Sequence, residues 1–83
     1  MRKKLNISPK LITCFDDIKY DVSDKKLIKL VEDIRIRGIK NPLYVYDNED
    51  GTYCLSAGYR RLCAAFILNL DTIPVKILDD YND

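Results

Sequence analysis

Leu43-Tyr44-Val45-Tyr46, then Asp47-Asn48-Glu49-Asp50-Gly51, then Thr52-Tyr53-Cys54-Leu55-Ser56, then Gly58-Tyr59-Arg60-Arg61-Leu62-Cys63-Ala64-Ala65-Phe66-Ile67-Leu68 follow one another almost without a break. The first and third runs are rich in aromatic and β-branched residues, and the run between them is polar and ends in glycine. That pattern predicts two strands joined as a hairpin. The last run is too long and too uniformly apolar for a surface strand and predicts a largely buried helix from about Gly58 to Leu68, ended by Asn69. Working outward, Leu27, Ile28, Leu30, Val31 and Ile34 make an apolar stripe at helical spacing. That helix is predicted to start at Ser23 as N-cap with Asp24 in its first turn, and to stop at Gly38. Leu5 and Ile7 predict a first strand and Ile73 to Leu78 a last one, while residues 10–22 read as loop with one helical turn. The order β-α-β-β-α-β predicts an α+β fold with a small mixed sheet, a β-hairpin and two main helices.

Eighty-three residues and 9.7 kDa allow one domain, 1–83, with a core over about 5–78 and two mobile ends, a basic start at 1–4 and an acidic tail at 79–83. A chain of this size buries only about 60–65% of its unfolded surface, which excludes a large enclosed active site. Hydrophobic residues make up 47% and charged residues 33%, so the chain is globular rather than disordered. No apolar run is long enough to cross a membrane. Histidine is absent, which removes every histidine-based catalytic scheme. The three cysteines, Cys14, Cys54 and Cys63, lack C-x-x-C spacing, so no zinc is expected, and a reducing, cytoplasmic setting is. With 14 basic and 13 acidic residues the net charge is +1, so phosphate or nucleic acid must be held by a local patch.

Charge placement in the second helix points to such a patch. Its two cations, Arg60 and Arg61, sit in the first turn, where the helix dipole is already positive and disfavours each by roughly 0.3–1 kcal/mol. Gly58 stands where free helix N–H groups point outward. Glycine, N–H groups, dipole and two guanidiniums together describe an anion site of phosphate or polyphosphate size. The alternative is that both arginines are solvated or pair with distant carboxylates such as Asp16, Asp17 or Asp47.

Gly38-Ile39-Lys40-Asn41-Pro42-Leu43-Tyr44-Val45, Asp50-Gly51-Thr52-Tyr53-Cys54-Leu55, Ala57-Gly58-Tyr59-Arg60-Arg61-Leu62-Cys63-Ala64-Ala65 and Thr72-Ile73-Pro74-Val75, in that order, resemble the N-terminal domain of the partition protein ParB. The resemblance covers about residues 5–78 and implies the fold that ParB shares with sulfiredoxin. It implies a nucleoside triphosphate, CTP or ATP with magnesium, against Gly58, Tyr59, Arg60 and Arg61, assisted by Lys19. It also implies a role in DNA partition, maintenance or regulation. The departures are Tyr59, where the family usually has Glu, and Cys63, where it usually has Arg. Tyr59 also occupies the position of the sulfiredoxin catalytic cysteine, so sulfiredoxin chemistry is not expected. The match ends ahead of the helix-turn-helix of the longer proteins. Weak, sequence-independent DNA binding, a partner DNA-binding protein and a homodimer are the expected associations. A stand-alone module from a phage, plasmid or mobile element and one domain of a larger protein fit equally.

Two other classes compete. A small nuclease, nucleotide hydrolase or ATP-using phosphotransferase on this scaffold would need a base or metal ligands near Arg60 and Arg61. A protein-interaction module would need neither. Asp47, Glu49 and Asp50 suit a solvated turn better than a metal site. Tyr44 and Tyr46 share one strand face and could stack on bases, although a half-exposed sheet face or a protein interface is the commoner explanation.

Overall fold

The computed structural model describes residues 3–13 and 23–78. Its strands are β1 (Lys3–Ile7), β2 (Ile12–Thr13), β3 (Leu43–Asp47), β4 (Tyr53–Ala57) and β5 (Ile73–Ile77), and its helices are α1 (Lys25–Arg37) and α2 (Tyr59–Ile67). The strands form a single mixed sheet in the order β1-β5-β3-β4-β2. The predicted hairpin is present, with β3 and β4 antiparallel. β5 returns parallel to β3 after α2, and β1 pairs antiparallel on its other side.

Strand alternation divides the sheet into two unlike faces. Leu43, Val45, Ile73 and Val75 point to one side, where they close over Leu62 and Ala65 of α2. All six are fully buried. α1 packs against α2, so both helices belong to the same side. The intervening positions, including Lys4, Asn6, Tyr44, Tyr46, Pro74 and Lys76, face the opposite way and none of them is buried.

Four sequence expectations need correction. The α1 N-cap is Asp24, one residue later than predicted; its Oδ1 accepts from the Lys26 N–H at 2.9 Å, leaving no acidic residue in the first turn. Asp caps as well as Ser, so sequence pattern could not choose between the neighbours. The predicted α1 stripe is only partly covered: Leu27 and Ile34 are buried, but Ile28 is 45% exposed. α1 rests on one short helix rather than on the sheet, and the strip that α2 can cover is narrow. Residues 9–13 hold more structure than a loop, a 3-10 turn over Pro9–Leu11 and then β2. β2 has two residues, too few to show alternation. It is held by side chains, with Asn48 Nδ2 donating to the hydroxyls of Thr13 (3.1 Å) and Thr52 (3.0 Å), and the Thr13 hydroxyl donating to the Tyr53 carbonyl (3.2 Å). Lastly, Lys3 and Lys4, assigned to the mobile start, belong to β1. The acidic tail and Cys14 lie outside the described residues.

The hairpin turn uses its acids locally. Asp47 Oδ1 accepts from the Glu49 N–H at 2.7 Å, and Asp50 Oδ1 accepts from both the hydroxyl and the N–H of Thr52. Those bonds, the hydroxyl's first, hold the Asp50 carboxyl below the ordinary aspartate range. A depressed folded pKa means that this stabilisation is present above the unfolded value and is lost as pH falls through the folded one. The stability difference between wild type and Asp50→Asn should therefore shrink on acidification through that window. A difference independent of pH in urea melts would show that the carboxylate is not held.

Gly58 carries the junction between β4 and α2. Its φ is +108°, and a Cβ there would stand 2.7 Å from Leu43 Cγ. Gly58→Ala combines left-handed strain with overpacking and should cost on the order of 2–4 kcal/mol. Gly51→Ala, at φ +94° but with open space around it, should cost only the roughly 1–2 kcal/mol of strain. Equal losses in denaturant melts would contradict the packing argument.

Candidate phosphate site at the start of α2

β4 ends at Ala57, Gly58 turns the chain and α2 begins at Tyr59. With glycine at the N-cap there is no side-chain cap. The Leu62 N–H donates to the Gly58 carbonyl at 2.9 Å, and the N–H groups ahead of it lie at the positive end of the dipole. The glycine itself is explained by Leu43 and by φ, so its identity is a demand of packing and not a sign of ligand approach.

The two arginines diverge. Arg60 is exposed and makes no hydrogen bond or ion pair with a described residue. Arg61 is half-buried, and its Nη1 donates to the carbonyls of Asn41 and Pro42, both at 2.7 Å. These carbonyls lie in the α1–β3 connection, so Arg61 ties the first turn of α2 to that segment. Consecutive residues on a helix point about 100° apart, which is why neighbours can meet such different surroundings. Of the carboxylates considered from sequence, Asp47 stands at the hairpin turn, while Asp16 and Asp17 lie outside the described residues; the described acceptors of Arg61 are backbone oxygens.

Around them, Tyr59 is 39% exposed and hydrogen-bonds Cys63 one turn on. Burial pushes the Cys63 thiol up, opposed in part by that bond, so Cys63 sits as a protonated core thiol. Arg61 also borders a shallow depression together with Gly38, Lys40, Asn41 and Asp33. Lys40 was not singled out as a site residue from sequence. Its only signal was its place just after the helix-ending glycine and just before Asn41-Pro42. Lys19 lies outside the described residues. Asp47, Glu49 and Asp50 stand at the hairpin turn, at the opposite end of β4 from Arg60. Among the described residues no three Cys, Asp or Glu side chains converge as metal ligands, and no helix is long and apolar enough to cross a membrane.

A mixed sheet backed by two helices, with a glycine-initiated helix presenting arginines, defines an α+β module of the ParB/sulfiredoxin fold. Residues 3–83 match the ParB N-terminal domain, and the chain belongs to that family. It is 35% identical over 63 residues to the transcriptional repressor protein KorB of Escherichia coli, a match over 74% of this chain and 18% of KorB. C-terminally truncated ParB of Caulobacter crescentus, complexed with CTP-γ-S, matches with a TM-score of 0.72 and 29% identity over 94% of this chain and 46% of that one. Sulfiredoxin of Arabidopsis thaliana matches with a TM-score of 0.78 and 27% identity over 94% and 86%. The chain thus spans about a fifth of KorB.

The dipole alone predicts that the free protein is no less stable without either arginine. The Arg61 bonds change that expectation. Arg61→Ala should destabilise the ligand-free protein by about 1.5–3 kcal/mol, the scale of hydrogen bonds to a charged group. Arg60→Ala should stay within about 0.5 kcal/mol of wild type. Urea melts of both variants without ligand check this, and equal stability of the two would show that the Arg61 bonds contribute nothing.

Proposed function

We propose that this chain is a nucleotide-binding ParB-type domain that takes the phosphates of a nucleoside triphosphate at the first turn of α2, in the service of DNA partition, maintenance or regulation. The observation that carries the reading is Arg60, an exposed guanidinium at the positive end of a helix, without an acceptor among the described residues. Cations are disfavoured at that position unless an anion arrives. A polyphosphate would supply the anion, and outward N–H groups would supply hydrogen bonds beside it. The complex of the Caulobacter ParB with CTP-γ-S supports CTP as the ligand; ATP with magnesium is the other candidate.

Arg60 would hold phosphate directly. Arg61, with Nη1 engaged, would hold the turn in place and offer its remaining N–H groups. Tyr59 would flank the ligand, and Gly58 would set the direction of the helix start. Lys19 keeps the assisting role that the resemblance implies. The carboxylates of the hairpin are at the wrong end of β4 to serve a nuclease centre at this turn.

Adding CTP, ATP, GTP or tripolyphosphate, with and without magnesium, should raise the melting temperature, because a ligand that binds only the native state shifts the equilibrium toward it. Arg60→Ala should weaken binding by about 1.5–3 kcal/mol, roughly tenfold to hundredfold, without loss of unliganded stability. A wild-type protein indifferent to all four ligands would end this reading.

A further inference from the structure

We propose that the Asp50-Gly51 peptide, in the turn between β3 and β4, is a site of spontaneous backbone isomerisation that converts Asp50 to isoaspartate, and that Thr52 restrains it. The Gly51 nitrogen attacks Asp50 Cγ of the neutral carboxyl. A C–N bond forms, the Cγ–OH bond breaks, and the hydroxyl leaves as water with the Gly51 amide proton. The product is a five-membered cyclic imide. Water then opens the ring, either at Cγ, which restores aspartate, or at the main-chain carbonyl, which leaves the chain running through Cβ and Cγ. Water is the only co-reactant, and nothing is oxidised or reduced. Three observations favour attack at this peptide. Asp50 and Gly51 are both exposed. Gly51 has no side chain, and nothing lies within 4 Å of where its Cβ would stand, so the nitrogen is unshielded. The Gly51 N–H donates to no described residue and breaks no such bond to react. No other aspartate or asparagine in the sequence precedes glycine.

Thr52 opposes the reaction. Asp50 Oδ1 accepts from the Thr52 N–H at 2.9 Å and from the Thr52 hydroxyl at 2.5 Å. Ring closure needs a protonated carboxyl swung onto the Gly51 nitrogen. Two donors on one oxygen hold the carboxylate ionised and turned toward Thr52 instead. Isomerisation would add a methylene to the main chain of the turn and move the carboxylate away from these donors. Thr52 is also the acceptor for Asn48, through its carbonyl from the Asn48 N–H (3.1 Å) and through its hydroxyl from Nδ2 (3.0 Å). The same Nδ2 reaches the Thr13 hydroxyl of β2 at 3.1 Å. An isomerised turn therefore loosens the contact that holds β2 on the sheet.

Weeks of incubation of the folded protein at neutral pH, followed by digestion and electron-transfer mass spectrometry, which distinguishes isoaspartate from aspartate, test the proposal. Isoaspartate should accumulate at residue 50. Thr52→Val removes the hydroxyl donor and should speed accumulation about tenfold, the worth of one hydrogen bond to a charged group. Asn48→Ala loosens the same turn without removing a donor to Asp50, and should isomerise at close to the wild-type rate. In urea, where the turn is gone, wild type and Thr52→Val should isomerise alike. Absence of isoaspartate at residue 50 from both proteins, or equal rates for the folded pair, would overturn the proposal. So would a difference that persists in urea, or an Asn48→Ala rate that matches Thr52→Val, since the Thr52 bonds to Asp50 would then not be what restrains the reaction.

Discussion

The approach of Gly58 to Leu43 sets the geometry of the molecule. Leu43 is fully buried at the start of β3, and a methyl group at residue 58 would stand 2.7 Å from its Cγ. Because no side chain intervenes, α2 can leave β4 at once and lie back over β3. That places Leu62 and Ala65 on Leu43, Val45, Ile73 and Val75, and the core closes. The same turn aims the first helical residues. Arg61 is thrown toward the α1–β3 connection and Arg60 toward solvent. The packing constraint that builds the core therefore also decides which arginine is available to an anion.

Arg61 shows how a motif residue can serve the fold first. Its Nη1 reaches two successive carbonyls, one of them that of Pro42, in a segment outside any strand or helix. By tying that segment to α2 it stiffens the ground on which Arg60 stands. A two-arginine motif is thus not two equivalent phosphate ligands. One guanidinium is held by the protein, and its neighbour is left exposed at the end of a dipole that does not favour it.

Much of the architecture was legible in sequence because it rests on local pattern. Alternation in β3 and β4, with the polar run between them, dictates the hairpin. The wholly apolar stretch from Leu62 to Leu68 dictates a helix with a buried face, Leu62 to Ala65, although Ile67 stays exposed, and Asn69 does adopt a positive φ, +55°. What stayed hidden rests on long-range pairing. β2 is two residues long and owes its place to Asn48 and Thr52, more than thirty residues away in sequence. The exposure of Ile28 depends on how wide a neighbour α1 finds. The carbonyls that engage Arg61 have no side-chain identity to read. Lys40 acquires meaning only from the packing of segments distant in the chain.

Net charge is a poor guide to a local anion site. At +1 the whole molecule offers little attraction to a polyanion. Among the described residues, however, five of the seven acids are spent close to home. Asp24 caps α1, Asp47 and Asp50 close the hairpin turn, and Glu32 and Asp33 pair with Arg35 and Arg37 along α1. Arg60, at the start of α2, has no acid partner among the described residues. Screening at physiological ionic strength cuts the field of an exposed charge within about 8 Å. A ligand approaching the start of α2 therefore meets the local cation and not the average.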